Sequence, residues 1–316
     1  MLLEAIDSCL KQSQKSLEII VFDDGSTDGT DELMKTVTDE RVRYFRSEKN
    51  VGGGRLFGLR HARGKYISFL DHDDYYTDYE FFEKAIKIHE EHENDSYPLA
   101  NVCANALLVD YRKDTPEQSD IGKPGRVKGV DFTLYPNVYK KPFSVFPVVY
   151  RADILRKIDF EKYSMADIFL YMLASLYGDS WFIPDVVGVY RVHGANETFG
   201  VKNNPEYDKR RRQGGIISMR TFNFIKESLY KKADKDIVDR WYIDKMGVIS
   251  WFSSLSNKGF MDLIRLHILI LKESGFMPKL WLKTPERFIK EFIRTAMRKI
   301  PPLYRFYRRV RWGIKD

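Results

Sequence analysis

Two stretches of this chain crowd carboxylates at the ends of apolar runs. The first, Asp71-His72-Asp73-Asp74, directly follows the run 66–70. Three carboxylates at the carboxyl end of a short buried strand repel one another and raise one another's pKa. The arrangement becomes favourable when a divalent cation and a phosphorylated ligand fill the gap. Mn2+ and Mg2+ prefer oxygen ligands, typically one or two carboxylates with waters and substrate phosphates. Asp71 and Asp73 are one residue apart, so after a strand they project to the same side. One can then bind a metal while the other reaches a ribose. The same residues also suit a solvated acidic loop with a helix N-cap near Asp78.

The second stretch is Asp23-Asp24-Gly25-Ser26, after the run 17–22. Its carboxylates can accept hydrogen bonds from a ribose hydroxyl or a base N–H, and Gly25 allows a sharp turn. An Asx-turn leading into a helix N-cap uses the same residue types. A third, glycine-rich turn runs from Asn50 to Arg55. Glycines near a helix N-terminus can approach phosphate, and Arg55 can pair with it. It lacks the Gly-Lys-Ser/Thr ending of a Walker loop.

These loops need a scaffold, and the first two-thirds of the chain alternates in an α/β manner. The pattern predicts a helix from Leu2 to Lys11, strands at 17–22, 42–45 and 66–70, and helices at 30–37 and through His61. Such alternation with short turns argues for a doubly wound, mostly parallel sheet, whose ligands bind beyond the carboxyl ends of its strands. All three special loops fall on that edge. Further on, 113–129 is polar with several Pro and Gly and reads as a mobile loop. Strand character returns at 143–150 and 181–192, with a helix over 164–177. From about residue 205 the pattern is helical. The expected division is a catalytic domain over 1–200 and a helical C-terminal region over 201–316.

The run from Leu17 to Thr30 resembles the inverting family 2 glycosyltransferases, which have the GT-A, Rossmann-like fold. So does the run from Asn50 to Asp74, through Gly58, Ala62, Gly64 and Asp71-His72-Asp73-Asp74. The resemblance is dense over the first 80 residues and sparser to about residue 195. It implies transfer of a sugar from a nucleotide-diphosphate donor, UDP-sugars foremost, to an acceptor hydroxyl with Mn2+ or Mg2+. By position, Asp23 and Asp24 match the pair that contacts base and ribose. Arg55 matches an arginine beside the base or phosphate. Asp71 and Asp73 match the Asp-x-Asp motif, with Asp73 as the main metal ligand. Asp167, opening the predicted helix after Met165-Ala166, stands where the family places the carboxylate that deprotonates the acceptor; the family commonly has Glu where this chain has Ala166. As a first-turn acid, Asp167 also suits the helix dipole. Tyr190-Arg191-Val192-His193 resembles a later motif in which the histidine approaches metal or diphosphate. The family's usual opening strand is absent, since Met1 already falls in the helix that follows it; the expectation is a start lying upstream or a fragment.

Composition suits a folded protein: 43% hydrophobic and 31% charged residues place it outside the disordered class. Cys9 and Cys103 lack metal-ligand spacing, which points to a reduced, cytoplasmic compartment. No signal segment and no apolar run long enough to span a bilayer is present. The net charge of +7 is local, because 283–316 holds eleven Lys/Arg against three acids. Within it, Phe288, Ile289, Phe292, Ile293 and Ala296 share one side at helical spacing, opposite Arg287, Lys290, Arg294 and Arg298. A basic amphipathic helix of this kind fits either an anionic membrane surface or an ordinary packed helix. Membrane contact would suit a lipid-linked or surface-glycan acceptor in bacterial polysaccharide or glycolipid synthesis. No nucleic-acid reading module is present. A nucleotidyltransferase, or an inactive membrane-associated scaffold, are the alternative readings.

Overall fold

The computed structural model describes residues 1–48, 53–111, 113–135, 145–193 and 205–254. The chain divides into two compact units, Met1–Gly200 and Val201–Asp316. The first unit is the α/β unit that the alternation predicts.

Strands β1 (Ile19–Asp23) and β2 (Val42–Arg46) pair in parallel, and helix α2 (Thr30–Met34) lies between them in the chain. Helix α3 (Gly54–His61) follows β2 and packs on β1. Phe57 sits between Phe22, at 4.6 Å between ring centroids, and His61 at 3.9 Å. Offset aromatic pairs at such separations add stability beyond buried area. Arg55, at the second position of α3, is thereby carried on a helix anchored to the end of β1.

A second sheet is built on two long strands, β5 (Leu99–Asp110) and β9 (Asp179–Val192), which run parallel. Its strand order is β3-β8-β5-β9-β4, where β3 is Tyr66–Ile67, β4 is Tyr75–Tyr76 and β8 is Val148–Arg151. Antiparallel β6 (Glu117–Gln118) and β7 (Gly125–Val127) flank β5 and β9. Thus β3 and β4 lie on opposite edges, and residues 68–74 carry the chain across the end of the sheet. That crossing is what brings the carboxylates over the carboxyl end of β9.

Two differences from the sequence reading have physical causes. The strand expected over 66–70 is only two residues long. Beyond Ile67 the Ser68 hydroxyl replaces the ladder by donating to the Val148 carbonyl at 2.8 Å, while it accepts from the Tyr76 hydroxyl. The segment 113–129, expected as a mobile loop, contains β6 and β7 and packs onto the sheet. There the buried Asn105 carboxamide accepts from the Ser119 hydroxyl and the Ile121 amide, each at 3.0 Å, and Ile121 is fully buried. Polar residues that satisfy a buried amide read as loop in a sequence.

Helix α1 (Leu2–Leu10) packs on β4. From it Ser8 accepts the Tyr76 amide, and Gln12 just beyond it donates to the Asp78 carbonyl and accepts from the Phe82 amide. Helix α4 (Phe81–Glu91) closes this layer, and Tyr76, Phe81, Ala85, Val102, Ala104, Phe146 and Val187 form the core beneath it. Short helices α5 (Gly129–Leu134) and α6 (Ala152–Leu155) precede α7 (Asp167–Ala174), whose side chains from Phe169 onward are buried. Arg126 ties the sheet rim together, with Nε 2.7 Å from Asp179.

The second unit contributes helices α8 (Pro205–Leu229) and α9 (Lys235–Ser254), which pack together through Phe222 and Trp241. Among the described residues no helix is long and apolar enough to cross a membrane. The basic tail over 284–316 lies outside the described residues.

Candidate active site

Arg55 is the centre of the site. Its Nη1 donates to Asp167 Oδ1 at 2.6 Å and to the Met165 carbonyl at 3.1 Å. Its Nη2 faces both oxygens of Asp71, at 3.2 and 3.3 Å. Burial works against the guanidinium charge, but Asp71 and Asp167 outweigh it, so Arg55 holds its proton even more firmly than usual. A carboxylate from the 68–74 crossing and one from α7 therefore meet on a cation from α3. Asp167 is the first residue of α7, whose N-cap Ala166 offers no side-chain acceptor. Its charge also faces the positive end of that helix.

Asp73 and Asp74 point elsewhere. Asp73 is buried, and its Oδ2 lies 3.0 Å from His193 Nε2 at the end of β9. Asp74 Oδ1 accepts the Arg191 amide at 2.9 Å, whereas its Oδ2 is buried without a partner. Burial pushes the Asp74 carboxyl up to about 8, helped by the charges of Asp73 and Asp71 and opposed by the Arg191 amide. Burial thus favours the protonated form of the third carboxylate of the cluster, which pins the loop to β9 through the Arg191 amide. This relieves part of the like-charge repulsion that the sequence poses.

Support comes from residues that sequence spacing does not single out. The Arg191 guanidinium lies 4.2 Å above the Tyr75 ring and 2.6 Å from Glu4 of α1. Tyr190 faces the cluster: burial, then Asp74, Asp167, Asp71 and Asp73, push its phenol up to about 12. The motif 190–193 signals these residues only as a group, without showing that Arg191 is a strut and Tyr190 a wall.

Asp23 has a turn-forming role that leaves little for a ligand. Its Oδ1 accepts the Ser26 amide and its Oδ2 the Tyr44 hydroxyl, both at 2.7 Å, with Arg46 Nε at 3.6 Å. The side chain is 1% exposed. Burial opposes its charge, but the Ser26 contacts, Tyr44 and Arg46 prevail and hold the carboxyl below its ordinary value. These contacts make a side-chain-stabilised turn, which Gly25, with φ 81°, makes possible. Asp24 beside it remains half-buried. The expected base or phosphate contact of Arg55 is replaced here by its two carboxylates. Residues 49–52 of the glycine-rich turn lie outside the described residues.

No group of three or more metal-ligating side chains converges among the described residues. Asp73 and His193 do meet, and one protein carboxylate with a neighbouring donor is compatible with a Mg2+ or Mn2+ site completed by waters and substrate phosphates. The residues present fit such a cation.

Residues 1–140 match Glycosyl transferase family 2. An uncharacterized glycosyltransferase of Rickettsia felis is 49% identical over 80 residues, which are 24% of this chain and 13% of that protein. The Escherichia coli UDP-Glc:alpha-D-GlcNAc-diphosphoundecaprenol beta-1,3-glucosyltransferase is 40% identical over 74 residues, 23% of this chain and 30% of its own. An uncharacterized glycosyltransferase of a Nostoc species is 21% identical over 277 residues, 78% of this chain and 84% of its own. The chain spans 13%, 11% and 13% of three Rickettsia relatives that it matches.

Proposed function

From the match of residues 1–140 to Glycosyl transferase family 2, we propose that this chain moves a sugar from a nucleotide-diphosphate donor to an acceptor hydroxyl. The observation that carries this reading is the meeting of Asp71 and Asp167 on Arg55, beside the Asp73–His193 pair. Two groups of opposite use stand side by side: one suited to a diphosphate and its cation, the other to an acceptor hydroxyl.

Asp73 and His193 would hold Mn2+ or Mg2+, and Asp71 and Asp24 would take the ribose and base. When bound, the cation offsets the negative charge that builds on the departing diphosphate. Asp167 accepts the proton of the acceptor hydroxyl as that oxygen attacks the anomeric carbon. The bond from that carbon to the diphosphate oxygen breaks on the opposite face, so the configuration inverts. Asp74, held by the Arg191 amide, keeps the loop in register while its neighbours work.

UDP-sugars are the first donors to try. A lipid-linked or surface-glycan acceptor is supported by the E. coli relative, whose name records a diphosphoundecaprenol substrate. Residues 284–316 would then bring the enzyme to an anionic membrane from the cytoplasmic side. Flotation with anionic liposomes should carry the full chain and leave a 1–282 truncation behind; equal flotation would remove the tail's role.

The donor assignment is tested by thermal unfolding with UDP-, GDP- and dTDP-sugars and Mn2+. A bound donor stabilises by mass action, about 2.7 kcal/mol at a hundred times its Kd. At least one series should raise the unfolding midpoint in wild type but not in Asp73→Ala. No shift with any of them would count against the proposal.

A further inference from the structure

The 2.6 Å contact between Arg55 and Asp167 is at odds with the use of Asp167 as a base. The guanidinium N–H already occupies Asp167 Oδ1 in a charge-assisted hydrogen bond, so that oxygen must exchange partners before it can take a hydroxyl's proton. The cleft around it is nevertheless open: the Asp71 and Asp167 side chains are 42% and 39% exposed, and that of Arg55 is 26% exposed. The three groups belong to separate elements, so the guanidinium can exchange partners without unfolding α3 or α7.

A diphosphate is the competitor to which this cation is best matched, since guanidinium–phosphate pairs are bidentate and charge-assisted. The contact to Asp71 is the longer of the two, and Asp71 stands beside the proposed cation site. An anion arriving there reaches Arg55 from the donor side.

We propose that Arg55 is a partner-exchange switch linking donor binding to base release. Without donor, Arg55 sequesters Asp167. The donor diphosphate draws the guanidinium away, and Asp167 becomes available to the acceptor only when a sugar is in place. Arg55 is then a positioning residue for the base and a binding residue for the donor. The inference rests on the proposed roles of Asp167 and of the donor site.

Isothermal titration of UDP, GDP and dTDP with Mg2+ tests it on the full chain, comparing wild type, Asp167→Asn, Arg55→Gln and the double variant. Thermal unfolding checks that each is folded, and Arg55→Lys replaces Arg55→Gln if the latter is not. Loss of the competing carboxylate should tighten nucleoside-diphosphate binding about fivefold in Asp167→Asn. Arg55→Gln should weaken it about tenfold, and adding Asp167→Asn to Arg55→Gln should then change nothing. Unchanged affinity in Asp167→Asn, an equal gain in the Arg55→Gln background, or no binding of any of the three would overturn the switch. Sugar-transfer rates on the same proteins separate the two claims. Lost transfer with unchanged affinity retains Asp167 as base without the switch; tightened binding with transfer intact removes Asp167 as base.

Discussion

Arg55 Nη1 lies 2.6 Å from Asp167 Oδ1 although 112 residues separate them in the chain. That contact joins the two halves of the site: α3 packs on β1, and α7 packs on β5 of the second sheet. Arg55 reaches Asp71 from the same guanidinium, so one cation organises the donor-side and acceptor-side carboxylates. Four predictions follow from this arrangement and from the fold that holds it.

The Asp73–His193 pair should dominate cation binding. Asp73→Asn is expected to weaken Mn2+ affinity in the presence of nucleoside diphosphate by about 10- to 100-fold, and His193→Ala by less. Titration calorimetry with and without Mn2+ reads both. Identical Mn2+ dependence in Asp73→Asn and wild type would place the cation elsewhere.

His89 should make the fold acid-sensitive. Its Nε2 faces the Val149 carbonyl at 3.1 Å, its Nδ1 is buried without a partner, and the ring stacks on Tyr66. Burial first, then Arg151 and Lys65, lowers its pKa to about 4, against the Val149 contact and Asp153. A folded pKa below the unfolded value of about 6.5 means that the unfolded chain binds the extra proton between those limits. Stability from this group is therefore present above about pH 6.5 and lost as pH falls toward 4, by about 3 kcal/mol. His89→Gln, which keeps a donor for Val149, should flatten that part of the unfolding profile between pH 4 and 7. An unaltered slope would show that His89 is not the group responsible.

Two glycines should behave oppositely when changed to alanine. A Cβ at Gly188 would meet Phe146 Cζ at 2.4 Å and the Tyr75 carbonyl at 2.6 Å, whereas one at Gly58 would meet nothing within 4 Å. Gly188→Ala forces β9 away from β4 and should cost about 1–3 kcal/mol, lowering the unfolding midpoint by roughly 5 °C. Gly58→Ala, in the middle of α3, should be stabilising by about 0.5–1 kcal/mol. Equal midpoints for the two variants would contradict the packing described here.

The carboxylate stretches are legible in the sequence because they end apolar runs in an α/β alternation, and that combination has few other uses. The helix over Leu2–Leu10, the strand over Val42–Arg46 and the end of α3 at His61 are legible for the same reason: periodicity and breakers agree. Partnership is not. Nothing near Arg55 announces a carboxylate 112 residues away, and nothing near Asp23 announces Tyr44. The shortness of β3 depends on where the Ser68 hydroxyl turns, which no pattern of period two records. The twelve-residue strand Leu99–Asp110 escapes because Asn101 and Asn105 interrupt its apolar run, although both are buried in it. Asp74 is the sharpest case: it reads as one acid among three, yet burial pushes its carboxyl up to about 8.

The proposed function turns on Asp167 as the base of a sugar transfer organised on Asp71 and Asp73. Turnover of a labelled nucleotide-sugar with Mn2+ and acceptor, in wild type against Asp167→Asn, tests it most directly. A loss in kcat of about 10²–10⁴ is expected in the variant, with the donor still bound. Transfer by Asp167→Asn at the wild-type rate would contradict it.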